Sequence, residues 1–193
     1  MKTDGKHITV HCQGRHVEAT ALSHGLTVMS TAGKAIATLM PTFDVDAMYV
    51  LDGGDQADWN KGGGIAPLIT LDGMNNKVML AWRWHPADQL FHVGIYWHPH
   101  GGGRVMPEDN GTLKKVAAGV PIIATFEAEW GRPYRASIVC PAGTADITCD
   151  GTRAPLLVRN VFSYFGGNRV APRDMRYECE RIYLSNSKIR IGI

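Results

Sequence analysis

Two neighbouring segments in which apolar side chains recur with a period of two constrain the fold of this chain most strongly. One runs from Lys77 to His85 (KVMLAWRWH), and the other runs from Leu90 to His98 (LFHVGIYWH). Successive side chains of a β-strand point to opposite faces, so each segment predicts a strand with one apolar face. The turn residues between them predict a hairpin with one buried and one solvated face. The predicted buried face comprises Val78, Leu80, Trp82, Trp84, Phe91, Val93, Ile95 and Trp97.

Nine further short segments are typical of β-strands and end at turn residues. Short strands without intervening helices predict an all-β fold, a two-sheet antiparallel sandwich of jelly-roll type. Residues 110–118 are the one segment expected to form a short helix. Because the chain shows no linker and no repeat, residues 1–193 are expected to form a single domain. The nine segments are 7–12, 16–22, 26–31, 34–40, 122–129, 135–140, 145–149, 156–162 and 176–184.

Two Gly-rich segments, 51–65 and 98–111, are predicted to be loops and hold nine of the 22 glycines. Glycine reaches backbone angles that other residues avoid, and loops on β-sandwiches commonly carry the chemistry that faces a partner. We therefore expect a recognition surface along these loops. Trp59 and Trp130, each beside loop residues, are candidates for an exposed contact with a ligand or partner.

Charge and hydropathy exclude some classes of partner. The formal net charge of +2 gives no broad basic field of the kind that binds nucleic acid. The longest apolar stretches are shorter than the roughly 18 residues of a membrane span, and no export signal is recognised behind Met1. We expect no nucleic-acid partner, no membrane insertion, and a place in a virion or the cytoplasm in preference to classical secretion.

The four cysteines form no C-x-x-C pair, which excludes the usual zinc and thioredoxin-like motifs. Cys140 and Cys149 could face each other across a predicted hairpin, whereas small reduced thiols are the alternative for all four, with Cys12 and Cys179.

No metal site and no cofactor are expected from the remaining patterns. His98 and His100 with His85 offer imidazoles, but Pro99 hinders chelation by the first two. The aspartates of 44–58 lack the spacing of a calcium loop, and the Gly triplets lack the Lys and Ser or Thr of a phosphate loop.

The solvated face of the predicted hairpin is the best candidate for a binding site. Adjacent strands bring side chains of one face within reach of each other. Arginine binds carboxylates bidentately, and histidine and tyrosine exchange protons with sugar oxygens and carbons. A solvated sheet face with ordinary polar side chains is the alternative interpretation. The candidate ligand-binding residues on this face are Arg83, His85, His92, Tyr96 and His98.

The stretch Val93-Gly94-Ile95-Tyr96 resembles the strand that carries the catalytic tyrosine in alginate-lyase-like jelly rolls. That resemblance implies β-elimination on a uronic-acid polymer, with Arg83, His92 and Tyr96 as catalytic residues. The chain departs from the family pattern in two places. It lacks the strand with paired Arg and Glu, and two residues instead of one separate Gln89 from the following histidine.

A second resemblance lies at residues 164–175 (YFGGNRVAPRDM), which are followed by the predicted strand 176–184. The passage resembles the Y-F-G-G-x-x-x-A-P-H-D ending of small jelly-roll proteins of gut bacteria and their phages, and the likeness extends over the C-terminal 120 residues or so. Arg173 stands where that ending has His. The resemblance implies a concanavalin-like sandwich and supplies no activity.

These patterns favour a non-catalytic structural or attachment module over an enzyme. Such a module would belong to a larger assembly, such as a phage particle or a surface complex, with protein subunits or further copies of itself as partners. It could also bind polysaccharide. The alternative is a polysaccharide lyase that acts on an acidic polymer by β-elimination.

Overall fold

The computed structural model describes residues 6–16, 25–69, 75–166 and 169–191. These residues form strands and two short 3₁₀ turns, Val45–Ala47 and Gly53–Ala57. The strands are β1 (Lys6–His11), β2 (Leu26–Ser30), β3 (Lys34–Thr42), β4 (Asn60–Pro67), β5 (Lys77–His85), β6 (Leu90–His98), β7 (Lys114–Val116), β8 (Ile123–Glu129), β9 (Tyr134–Cys140), β10 (Gly143–Cys149), β11 (Leu157–Val161), β12 (Met175–Leu184) and β13 (Lys188–Ile191).

The described strands assemble into two antiparallel sheets. Six strands follow the order β1-β12-β3-β8-β9-β10, and seven follow the order β13-β2-β11-β4-β5-β6-β7. Strands distant in sequence lie side by side, as when β12 sits between β1 and β3. The predicted fold, an all-β antiparallel sandwich of jelly-roll type, is confirmed.

The apolar faces of β5 and β6 form the centre of the core, as predicted from their period of two. Trp82 has no exposed surface, and Trp84 and Trp97 are each 4% exposed. The ring centroid of Trp82 lies 4.7 Å from that of Phe43, which follows β3, and 5.6 Å from that of Tyr177 in β12 of the opposite sheet. Burying aromatic side chains of this size supplies a large share of the hydrophobic stabilisation.

Two local predictions are wrong. Residues 110–118 contain no helix and instead include the strand β7, Lys114–Val116. The predicted loop 51–65 ends in strand structure, because β4 begins at Asn60 and includes the glycine triplet 62–64. Of the predicted strand 16–22, residues 17–22 lie outside the described residues, as do Gly167 and Asn168 of the C-terminal passage.

The glycine triplet is part of β4 because this strand lies unusually close to its neighbour. The register between β4 and β5 shifts between Lys61 and Gly63, which indicates a bulge. A Cβ atom on Gly64 would lie 2.1 Å from the backbone oxygen of Val78, a contact that no side chain tolerates. Glycine is therefore required for strand packing here, and its abundance misled the loop prediction.

All four cysteines are free thiols. Cys140 pairs with Gly143 across the β9–β10 hairpin and Cys149 pairs with Tyr134, so the two cysteines do not face each other. No helix in the described part of the chain is long and apolar enough to cross a membrane.

Candidate functional site

The second face of the β5–β6 hairpin, opposite the core, carries the predicted polar residues but is not solvated. Met79 and Tyr96 are each 2% exposed, and His92 and His98 are each 4% exposed. Met79, Ala81 and Tyr96 form a second apolar cluster with Trp59, so the central part of this hairpin is buried on both faces. The prediction of a solvated face is therefore wrong, and the physical reason is a cover supplied by two loops.

The segment 99–113 forms the larger part of this cover. The backbone N–H and C=O of Val105 both bond to Trp97, at 2.9 and 3.3 Å, which folds the segment back over β6. Further along, the Thr112 hydroxyl accepts the N–H of Ile95 at 2.8 Å. Gly94 lies directly beneath Pro107, where a Cβ atom would meet the proline ring at 2.5 Å. The predicted Gly-rich loop thus packs against the strand it follows.

Trp59 completes the cover from the other side. It is 2% exposed, so the prediction of an exposed Trp59 is wrong. The guanidinium of Arg83 lies over its ring at 4.2 Å from the centroid, and its indole N–H donates to Glu108 Oε2 at 3.1 Å. Glu108 Oε1 accepts from Arg83 at 2.9 Å. Arg83 is therefore engaged by a carboxylate and an indole of this chain. Trp130, by contrast, is 65% exposed.

His85, Asp88 and His92 form a compact cluster at the tip of the hairpin. Asp88 Oδ2 lies 2.9 Å from His92 Nε2, and Asp88 Oδ1 lies 3.3 Å from His85 Nδ1. Lys115 contacts the same carboxylate at 2.5 Å. Hydrogen bonds from Lys115 and His92 lower the pKa of Asp88 to about 2, and burial lowers the pKa of His92.

Tyr96 and His98 form a second pair on the same face. The phenol oxygen lies 3.0 Å from His98 Nε2, and His98 Nδ1 lies 2.7 Å from the carbonyl oxygen of Gly103. A carbonyl oxygen only accepts, so Nδ1 carries the proton and Nε2 accepts the proton of the phenol. Burial raises the pKa of Tyr96 and lowers that of His98, which keeps both groups neutral.

Three cationic side chains surround this neutral pair. Lys77 lies directly across from His98 in the β5–β6 register, and Lys61 Nζ lies 5.0 Å from the centre of the Tyr96 ring. Arg104 follows Gly103 in the loop. The charges of all three lower the pKa of His98, after the larger effect of burial. We call Lys61, Lys77 and Arg104 the cationic surface.

Lys61 is a partly buried member of the cationic surface. Its Nζ donates a hydrogen bond to the carbonyl oxygen of Trp59 at 2.6 Å. Burial lowers its pKa from 10.5 to about 8, an effect that the nearby Asp58 carboxylate partly offsets. An anion bound beside it would restore the charged form of this amine.

The structure divides the sequence-predicted residues of this face into two groups. Arg83 NH2 lies 3.5 Å from His92 Nδ1 as their cross-strand pairing requires. Tyr96 is four residues further along the strand than His92, about 13 Å away at the usual strand rise. The three residues that the lyase resemblance selects therefore do not converge on one point.

The cationic surface and Glu108 were missed at the sequence level. Lys61 belongs to the stretch interpreted as a loop, so its strand face was not considered. Lys77 is separated from Met79 and Arg83 by an even number of positions. The alternation of side chains along β5 therefore puts Lys77 on the same polar face as these two residues. Glu108 and Arg104 come from a loop whose path over the sheet has no signal in local sequence.

A cavity of about 250 Å³ lies elsewhere, on the outer face of the six-stranded sheet. Its wall includes Lys34, Glu127, Arg132 and Arg135, and Lys34 binds Glu127 at 3.0 Å. The residues that line this cavity include none of those predicted for a site.

Comparisons with solved structures indicate the fold. A functionally unknown protein from Saccharomyces cerevisiae superimposes with a TM-score of 0.54 at 8% identity, over 99% of this chain and 91% of that one. An alginate lyase from Chlorella virus gives 0.45 at 9% identity, over 95% and 92% of the two chains. A lectin from Bauhinia forficata in complex with GalNAc gives 0.41 at 12% identity, over 94% and 93%.

Sequence comparisons identify no family and no relative for this chain. No protein-family model matches the chain, and no curated protein matches it at a significant level. The resemblance at residues 164–175 therefore stays a prediction from the motif, while the likeness to the yeast protein shows a shared fold.

Proposed function

We propose that this protein is a non-catalytic attachment module that binds an acidic polysaccharide through the cationic surface. The observation that carries the proposal is the grouping of Lys61, Lys77 and Arg104 around the buried Tyr96–His98 pair. Lys61 pairs with Ala81, four residues along β5 from Lys77, so the two backbones lie on adjacent strands and are about 13 Å apart along the strand direction. The carboxylates repeated along an extended acidic polymer can pair with cations that the protein holds at fixed separations.

The charge of the whole chain supports a local site over a general affinity for polyanions. The formal net charge is only +2, so a duplex nucleic acid would meet no extended field. Arg83 and Lys115, on the same sheet, are engaged by Glu108 and Asp88. The cationic surface is thus a restricted patch that selects a ligand by the spacing of its charges.

Binding to a panel of polysaccharides tests the proposal. Alginate and polygalacturonate should retard the protein in affinity electrophoresis, whereas neutral dextran should not. An Arg104→Ala variant should lose retardation, and Lys114→Ala, which removes a lysine from β7, is the matched control. Equal retardation by dextran, or an unchanged Arg104→Ala variant, would refute the proposed surface.

A lyase activity is the second candidate, favoured by the hydrogen bond between Tyr96 and His98. His98 Nε2 would take the phenol proton, and the phenolate would remove the proton beside the uronate carboxylate while the cationic surface holds that carboxylate. The bond to the leaving oxygen then breaks as a carbon–carbon double bond forms. A proton returned from His98 through Tyr96 completes the leaving group.

This activity requires movement of the cover, because Tyr96 is only 2% exposed. Ultraviolet absorbance of the unsaturated uronate separates the two candidates on the same polysaccharides. Absorbance that rises with the protein and is abolished in Tyr96→Phe would establish the enzyme. Retardation without such absorbance supports attachment alone.

A further inference from the structure

We propose that the tip of the β5–β6 hairpin binds a divalent transition-metal ion such as Zn²⁺ through His85, Asp88 and His92. One ligand atom from each residue lies within 4.8 Å of the others. The proposal is independent of the cationic surface, which lies further along the same sheet face. As a metal ligand, His85 was considered at the sequence level only together with His98 and His100, a grouping in which Asp88 had no part.

The hairpin geometry is what brings the three side chains together. Arg83 pairs with His92 and His85 pairs with Leu90, so the two histidines are diagonal neighbours on one face. Their rings are stacked with centroids 4.4 Å apart and an interplanar angle of 9°. The chain reverses through Gln89, which has a φ of 55°, and this turn places Asp88 over the same face.

The donor set suits a late first-row metal. Two imidazole nitrogens and one carboxylate are the ligands of many zinc sites, in which a water or another ligand takes the fourth position. The side chain of His85 is 36% exposed and that of Asp88 is 28% exposed, whereas that of His92 is 5% exposed. An ion can therefore approach from solvent while His92 forms the inner wall of the site.

Several existing contacts have to change when the ion binds. The hydrogen bond from the Asp88 backbone N–H to His85 Nδ1, at 3.3 Å, is given up if that nitrogen is the ligand. The two stacked imidazoles also have to turn, because each nitrogen lone pair lies in the plane of its own ring. Asp88 Oδ2 releases Lys115, whose side chain is 50% exposed and regains water at little cost. The proton on His92 Nε2 moves to Nδ1, and the 3.5 Å contact between Nδ1 and Arg83 is given up. The ion then takes the position of the proton that His92 shares with Asp88, so no net proton is lost.

Lys115 makes the proposal testable by a gain of affinity. It competes with the ion for Asp88, so Lys115→Met should bind Zn²⁺ more tightly than the unaltered protein. Because the loss of any nearby positive charge also favours a cation, the gain has to exceed that of a neighbouring lysine that does not contact Asp88. Lys114→Met, on the neighbouring position of β7, is the matched control.

The experiment is a titration of the full chain with Zn²⁺ by isothermal calorimetry, and with Co²⁺ by visible absorption. One ion should bind per chain, and Co²⁺ should show the spectrum of a low-coordinate nitrogen and oxygen site. His85→Gln should weaken binding roughly tenfold or more, which is at least 1.4 kcal/mol. His100→Gln, which alters an exposed histidine outside the cluster, should leave the affinity unchanged.

We expect the His85→Gln variant to fold, because the side chain of His85 is partly exposed. Circular dichroism confirms that each variant is folded before titration. Absence of binding by the unaltered protein would overturn the proposal. So would equal affinities for the unaltered protein, His85→Gln and His100→Gln, or a Lys115→Met variant that binds no more tightly than Lys114→Met.

Discussion

Tyr96 donates a hydrogen bond of 3.0 Å to Nε2 of His98, two residues further along the same strand. Residues two apart on a strand share a face, so this contact is built into β6 by alternation alone. The proton on the other ring nitrogen faces the carbonyl oxygen of Gly103, in the covering loop. The pair therefore joins the sheet to its cover.

Loss of the phenol hydroxyl should lower stability measurably. We expect Tyr96→Phe to reduce the free energy of unfolding by about 1–3 kcal/mol, because His98 Nε2 is left buried without its donor. Urea denaturation measures this change. Tyr164→Phe, at a residue that is 37% exposed, serves as the control and should change stability by much less. Equal losses in the two variants would argue against an important hydrogen bond.

Binding of acidic polysaccharide should weaken as the pH rises through about 8, since Lys61 loses its charge there. Affinity electrophoresis on either side of this pH measures the effect. Lys61→Arg keeps its charge at alkaline pH and should therefore bind with a smaller dependence on pH. A pH dependence that is identical in the variant would show that another group is responsible.

The amine of Lys61 should also make the free energy of unfolding of the unliganded protein depend on pH. Burial lowers the pKa of Lys61 from 10.5 to about 8, so between these values the unfolded chain binds more protons than the folded one. Stability contributed by this residue consequently increases as the pH rises through that interval. Urea denaturation across the interval should show a smaller increase for Lys61→Met, and an unchanged slope would contradict the assignment.

A methyl group beneath the covering loop should displace it. A Cβ atom on Gly94 would lie 2.5 Å from the ring of Pro107, whereas one on Gly54 would meet no atom within 4 Å. We expect Gly94→Ala to destabilise the protein by about 1–3 kcal/mol and to speed hydrogen exchange in the loop. Gly54→Ala should do neither. Unaltered exchange in Gly94→Ala would mean that the loop adjusts without opening.

The four thiols should separate into two reactivity classes. Cys149 and Cys179 are buried, whereas Cys12 and Cys140 are partly exposed. Burial also raises the pKa of Cys149 to about 12, which suppresses its thiolate. A disulfide reagent should label Cys12 and Cys140 in the folded protein, and all four thiols after denaturation. Mass spectrometry of the labelled peptides checks the assignment, and rapid labelling of Cys149 in the native state would contradict it.

Much of the sandwich follows from local pattern. The alternation in β5 and β6 identified both strands, their hairpin and their core face, because burial on one side imposes a period of two. The same signal failed in β4, where Gly62, Gly63 and Gly64 present no side chains to alternate. A strand that needs close backbone approach carries the composition of a loop, and only its neighbours distinguish the two.

The candidate site was less predictable because it depends on loops. Arg83, His85, His92, Tyr96 and His98 were placed on the correct face, but their solvent exposure was decided by Trp59 and Pro107 from distant segments. The grouping of His85 with Asp88 needed the turn conformation at Gln89. The face of a strand to which each residue points can be inferred from the sequence, whereas the path of a covering loop is set by tertiary contacts.

The position of β12 between β1 and β3 also governs when the fold can form during synthesis. Residues 175–184 leave the ribosome after every other strand of the six-stranded sheet, yet they occupy its interior. Until then β3 has an open edge of unpaired backbone groups, the kind of surface that invites aggregation. Translation that stops before residue 175 would leave β1 without its neighbour in this sheet and β3 with an open edge.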